Sequence, residues 1–263
     1  MTRLSDKLES MRKAGKKALF IYITAGAPDF QTTVEAVKAA EKAGADVIEI
    51  GMPFSDPIAD GPVIQEASVI ALKNGATMKK ILGLIKELRK FTQIPLVGMG
   101  YINNILTYGV EKFIDDFKDA GLDGMIIPDL PHEESADMRA VCKQADFHLI
   151  EFVTPNTIPA RIKETCLSAD GFIYCVSVNG VTGVRAIDYS VINDIAKLVR
   201  EETSVPLAVG FGIGSPEAAL AASEVADAVI VGSAVVKKIL EKDIAGASEL
   251  IAAIRTALDE RVK

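Results

Sequence analysis

Four scarcities bound what this chain does. It carries only three cysteines, Cys142, Cys166 and Cys175, an odd number with no C-x-x-C pair, which excludes a disulfide framework and fits buried thiols in a reducing cytoplasm. It carries two histidines, His132 and His148, with no second His or Cys at ligand spacing, so a zinc site has nothing to build on. Basic residues are also short: 29 Lys and Arg against 36 Asp and Glu give a net charge of -7. Without a cationic excess there is no footprint for nucleic acid or an anionic membrane. Long apolar runs are missing too. The most apolar stretch, 18–27, is about half of what a membrane helix needs, and Gly26 and Pro28 break its end. Arg3, Asp6, Lys7, Glu9, Arg12 and Lys13 punctuate the start, which leaves no signal-peptide core. Cytoplasmic location is the expectation.

What is present is a large core-forming fraction, 49% hydrophobic residues with 25% charged, arranged in a repeating order. Short β-branched runs at 19–23, 47–50, 96–98, 125–127, 149–153, 172–176, 207–209 and 228–231 alternate with longer segments of helical period. That order signals βα units and a parallel sheet. Stripes such as Ile81, Leu84, Ile85, Leu88 and Val110, Phe113, Ile114, Phe117 recur near 3.6 residues and should pack on the sheet. Eight units with no Ser/Pro-rich linker predict an α/β fold: one (β/α)₈ TIM barrel domain over residues 1–263. Leu4, Leu8 and Met11 add a stripe before the first strand, predicting an extra helix over roughly 2–14 that covers the barrel's N-terminal end.

An internal repeat supports closure. Asp46, Asp123, Asp170 and Asp227 each stand just before an even-numbered strand, while Ile94-Pro95-Leu96 and Val205-Pro206-Leu207 open the third and seventh. Proline as a strand's first residue costs no ladder hydrogen bond, and the unit of repetition is two βα pairs.

Barrel active sites form from the loops after the strands' C-terminal ends. After the second run comes Glu49-Ile50-Gly51-Met52-Pro53-Phe54-Ser55-Asp56-Pro57-Ile58-Ala59-Asp60-Gly61-Pro62. Side chains alternate across a strand, so if Ile48 and Ile50 face the helices, Glu49 points into the barrel mouth. Burial there raises a carboxyl's pKa. A salt-bridged structural Glu is the competing explanation, and catalysis is favoured. Asp60, just ahead of Gly61-Pro62, fits equally a second catalytic carboxylate or a residue at the next helix's N-cap. Late in the chain come Gly180-Val181-Thr182-Gly183, Gly210-Phe211-Gly212-Ile213-Gly214-Ser215 and Gly232-Ser233. Glycines let backbone N–H groups surround a phosphate, and helices starting near Ser215 or Ser233 add positive potential. Each turn alone is weak, but three at the sixth, seventh and eighth strands match the barrel phosphate site. A dinucleotide fingerprint belongs to the first βα turn and has other spacing.

The stretch 49–65, ending in Val63-Ile64-Gln65, resembles the signature of the tryptophan synthase alpha subunit family. The resemblance extends through Thr24-Ala25-Gly26-Ala27-Pro28, Pro128-Asp129-Leu130-Pro131 and the late glycine turns. It implies retro-aldol cleavage of indole-3-glycerol phosphate to indole and D-glyceraldehyde 3-phosphate. By that resemblance Glu49 is the general acid/base, Asp60 binds the indole N–H, and Tyr174 is an active-site tyrosine. Tyr22, Tyr101, Phe152 and Phe211 surround the indole, although core packing explains such rings as well. Thr182, Gly183, Gly212, Ile213, Gly232 and Ser233 complete the substrate contacts, mainly at the phosphate. No metal or cofactor is implied for this chain. Pyridoxal phosphate belongs to a beta-subunit partner in an α₂β₂ tetramer, to which indole passes through a tunnel. Val178-Asn179 departs from the commoner family form and puts details of the sixth loop in doubt.

Pro53, Phe54 and Pro57, with the loop 179–185, are the expected docking and closing surfaces. Rival readings are another phosphate-binding barrel, such as a ribulose-phosphate epimerase or thiamine-phosphate synthase, a stand-alone lyase of the same substrate, and a non-catalytic activating subunit.

Overall fold

Eight parallel strands close on themselves in sequence order: β1 Ala18–Thr24, β2 Val47–Gly51, β3 Leu96–Met99, β4 Gly124–Ile126, β5 His148–Val153, β6 Ile173–Val176, β7 Leu207–Gly210 and β8 Ala228–Val231. The structure is a computed structural model, and it describes residues 2–176, 189–210 and 212–260. Each expected run is a strand and a helix follows each, so the architecture is the (β/α)₈ barrel. The fourth strand starts one residue earlier than its run of large apolar residues, at Gly124, which pairs with Val97 on β3 and His148 on β5, and a β-carbon there would collide with the His148 backbone. Glycine is what that close approach requires.

Alternation along the strands divides the core into two layers. Ile48 and Ile50 belong to the layer between sheet and helices, with Leu96, Ile173 and Val209. Val47, Phe20, Val97, Ile126, Phe172 and Ile230 fill the barrel interior. The helical stripes behave as their period requires: Ile81, Leu84, Ile85 and Leu88 of helix Met78–Leu88 are all buried, as are Phe113, Ile114 and Phe117 of helix Val110–Ala120.

The N-terminal helix, Arg3–Lys13, buries Leu4 and Leu8 in the interior layer, with Met11 partly buried against it. Three of the four repeated aspartates are its sockets. Asp46, Asp123 and Asp227 each accept a hydrogen bond from a backbone N–H near the start of the preceding odd strand, at Leu19 (3.0 Å), Leu96 (2.8 Å) and Leu207 (3.0 Å). The helix then reaches Asp123 through Arg3 (3.0 Å) and Asp46 through Lys7 (3.6 Å). At the third socket Asp170 lies 2.8 Å from Nδ1 of His148, whose Nε2 is 2.6 Å from the hydroxyl of Thr2, the helix's N-cap. One end of the barrel is thereby sealed by structure, leaving the other for chemistry. Among the described residues, no helix is long and apolar enough to cross a membrane.

Candidate active site

At the open end, β2 points Glu49 inward. The residue is 1% exposed, and among the described residues neither carboxyl oxygen has a hydrogen-bond partner. Burial alone pushes its pKa up to about 8, because nothing nearby compensates the ionised form. Glu49 is therefore a neutral acid near pH 7, held without the ion pair that a structural glutamate would show.

Asp60 sits in the loop between β2 and helix Pro62–Lys73. The N-cap of that helix is Gly61, with no side-chain cap bond and Pro62 in its first turn. Asp60 thus lies outside the cap, and its carboxyl is left for other work. It is 7% exposed, and burial raises its pKa to about 6, against a hydrogen bond from Tyr101 that lowers it. Two carboxyls whose environments separate their titrations are the arrangement that divides acid and base roles.

Three tyrosines frame these carboxyls. Tyr22 on β1 stands opposite Glu49 in the ladder. Burial pushes its phenol well up, and so do the charges of Asp60 and Glu49. Tyr174 on β6 is 4% exposed and responds, after burial, to the charges of Glu49 and then Asp60. Its ring lies 5.3 Å from that of Phe152. The hydroxyl of Tyr101 accepts the Ala59 N–H at 3.0 Å, and its ring stacks on Phe54 at 5.0 Å. It braces the loop that carries Asp60.

A cavity of about 510 Å³ opens beside this group, lined by Phe152 and Tyr174 together with Met99, Ile127, Pro128 and Asp129. The volume is that of a small-molecule site, apolar with a few polar groups. Met99, Pro128 and Asp129 were not singled out as site residues from sequence, since nothing in a short apolar run or a proline turn marks which side chains end at a barrel mouth.

The glycine turns after β7 and β8 converge on the opposite rim. Gly212 has φ +74°, in the left-handed region glycine favours. A β-carbon on Gly214 would touch Ala234, and one on Gly232 would meet Tyr22, so the turns after β7 and β8 lie side by side next to the tyrosine. Of the two helix starts expected to offer positive potential, Ser215 caps its own helix, its hydroxyl accepting from Ala218 N–H at 3.3 Å. Helix Ser233–Leu240 has no side-chain cap at Gly232, which leaves its first N–H groups for an anion. Ile213 is buried and Ser233 exposed. Thr182, Gly183 and Phe211 lie outside the described residues, as does the loop 179–185.

The exposure expected of the second loop's apolar residues is corrected. Pro53 is buried and Phe54 and Pro57 are half-buried, Phe54 against Tyr101. The exposed apolar residue of this loop is Ile58, at 76%. Among the described residues, no group of three or more His, Cys, Asp or Glu is placed to hold a metal ion.

The family model of the tryptophan synthase alpha chain matches residues 8–261. The chain belongs to the tryptophan synthase alpha chain family. It is similar to the tryptophan synthase alpha chains of Caldanaerobacter subterraneus, 45% identical over 91% of each chain, and of Alkaliphilus metalliredigens, 46% identical over 91% of this chain and 90% of that one. The solved tryptophan synthase subunit alpha of Legionella pneumophila superposes with a TM-score of 0.91 at 35% identity, covering 99% of both chains. As a tryptophan synthase alpha chain the protein is a carbon–carbon lyase of tryptophan biosynthesis, cleaving indole-3-glycerol phosphate to indole and D-glyceraldehyde 3-phosphate. The epimerase and thiamine-phosphate synthase readings fall with this assignment.

Proposed function

We propose that Glu49 and Asp60 divide the work of this cleavage. Indole-3-glycerol phosphate binds with its ring against Phe152 and Tyr174 and its phosphate at the amides of Gly212, Ile213, Gly232 and Ser233. Neutral Glu49 protonates the indole carbon that bears the glycerol chain. The positive charge that develops on the ring nitrogen is stabilised by ionised Asp60, which accepts the N–H. Glu49, now a carboxylate, takes the proton of the adjacent glycerol hydroxyl. The carbon–carbon bond breaks, its electron pair returns to the indole ring, and the hydroxyl carbon becomes the aldehyde of D-glyceraldehyde 3-phosphate. The remaining substrate contacts are Tyr22 and Tyr101 at the frame of the site, with Thr182, Gly183 and Phe211 completing it.

The observation that carries this reading is the pair of buried oxygens on Glu49, without a partner among the described residues and held at a pKa of about 8. An acid and base for one substrate needs its proton affinity near the working pH. Residues 1–263 act as one cytoplasmic domain. Its partner is a beta subunit that holds pyridoxal phosphate and receives indole, in an α₂β₂ tetramer. Supporting that surface, Ile58 (76% exposed) and Leu106 (59% exposed) follow β2 and β3 at the active-site end, where exposed apolar residues suit a protein contact.

The test is production of D-glyceraldehyde 3-phosphate from indole-3-glycerol phosphate by the purified chain, with and without a beta subunit. Turnover that rises with the partner and disappears in Glu49→Gln is expected. Turnover indifferent to a beta subunit would favour a stand-alone lyase, and turnover that survives Glu49→Gln would remove Glu49 from the mechanism.

A further inference from the structure

Asp129 follows β4 on the cavity wall, and no step above uses it. Its Oδ1 accepts the backbone N–H of Ile102 at 2.9 Å. Ile102 opens the helix Ile102–Tyr108, whose N-cap residue, Tyr101, makes no side-chain cap bond. Seven residues hold too few internal hydrogen bonds to fix their own start. An acceptor supplied from another strand's loop therefore decides where this helix begins.

Four contacts to the Asp60 loop hang from that start. The Tyr101 hydroxyl accepts from Ala59 N–H and donates to Asp60. The Tyr101 ring stacks on Phe54, and Asn104 Nδ2 donates to the Pro53 carbonyl at 3.4 Å. We propose that Asp129 is a positioning residue for the lyase reaction: by anchoring Ile102 it fixes Tyr101, and Tyr101 holds Asp60 where the indole N–H is met.

The inference rests on the role given to Asp60 above. The ionisable groups facing Asp60 are Tyr101 from the helix start, Tyr22 from β1 and Tyr174 from β6. Of these only the Tyr101 hydrogen bond favours the carboxylate form. Burial first, then the charge of Asp60 and more weakly that of Asp129, raises the Tyr101 phenol, so that it keeps the proton it donates. When Tyr101 is displaced, the Asp60 carboxyl titrates higher.

The experiment is a cycle of the full chain with Asp129→Ala, Asp129→Asn, Tyr101→Phe and the Tyr101→Phe/Asp129→Ala double variant. The readouts are kcat/KM against pH and amide hydrogen exchange at Ala59. Asp129→Ala is expected to lower kcat/KM by about tenfold or more, to move the acidic limb up from about 6, and to speed exchange at Ala59. Asp129→Asn keeps an oxygen acceptor for Ile102 N–H and should recover most of the loss. On the Tyr101→Phe background, Asp129→Ala should add little. Additive losses, or a folded Asp129→Ala variant with unmoved limb and exchange, would overturn the proposal. Full turnover in Asp60→Asn would instead overturn the role of Asp60, while exchange at Ala59 would still decide the link from Asp129 to the loop.

Discussion

The hydroxyl of Tyr22 occupies the space that a β-carbon on Gly51 would need. Gly51 is two residues beyond Glu49 on the same inward face of β2, so this glycine lets the tyrosine lean across the barrel mouth toward the acid. Tyr174 does the same over Gly210 on the next strand. Gly51→Ala should therefore push Tyr22 aside, costing about 1–3 kcal/mol of stability as overpacking does, and lower turnover by tenfold or more. Tyr22→Leu in the same chain should restore stability, measured by urea unfolding, without restoring activity. A fully active Gly51→Ala variant would remove Tyr22 from the geometry of the site.

The pH dependence follows from the two carboxyls. Asp60 must be ionised, so kcat/KM should rise with pH through about 6; Glu49 must be protonated, so it should fall through about 8. The profile is a bell with its maximum near 7. An activity that keeps climbing above pH 9 would show that Glu49 is not the acid.

Glu49→Gln should reduce kcat by a factor of about 10²–10⁴ or more, the range of a lost general acid/base, without changing the circular dichroism spectrum. The chain has no tryptophan, so indole-ring fluorescence in the assay comes from substrate and product alone, and turnover is read from the D-glyceraldehyde 3-phosphate formed.

The same substitution should stabilise the fold. Glu49 ionises at 4.5 in its ordinary setting and at about 8 in the barrel. Between those values the unfolded chain loses the proton and the folded chain keeps it, so the parent loses stability as pH rises from 4.5 to 8. At pH 7 the penalty is about 3 kcal/mol. Glu49→Gln should show little gain at pH 4.5 and an increasing gain toward pH 8, read from urea midpoints. A gain independent of pH would mean that Glu49 is not held neutral.

At the sealed end the consequences differ. Asp123 is buried between Arg89 (2.8 Å) and Arg3 (3.0 Å) and also accepts from Leu96 N–H. Asp123→Ala strands the Arg89 guanidinium, only 10% exposed, and should cost about 3 kcal/mol while the folded fraction keeps its kcat. A selective loss of kcat would place this end in the catalytic cycle.

The barrel is legible in the sequence because a parallel strand buried on both faces must be a short, β-branched run, and its alternation turns Glu49 inward. The start of β4 was less legible: Gly124 reads as the end of a turn until the backbone of β5 is beside it. For Asp60, sequence left capping and chemistry balanced, and the difference lies in one residue, since Gly61 takes the cap. Tyr101 and Asp129 show what one dimension hides. Tyr101 looks like any ring near an indole, yet its hydroxyl meets Ala59, 42 positions away, and Asp129 acts on a backbone N–H 27 positions away. Neither contact leaves a local pattern. Phe54 read as fully exposed for the same reason, because the ring that covers it comes from beyond β3.

The sealed end also orders events during synthesis. Thr2 and Arg3 meet their partners 146 and 120 positions later. The helix Arg3–Lys13 is made long before Asp123, His148 and Asp170 exist. On the ribosome its buried leucines must wait, uncovered or held by a chaperone, until more than half the chain has emerged. Contacts this distant in sequence form late, and closure itself falls to the pairing of β1 with β8, so the helix seals a vessel that a later strand completes.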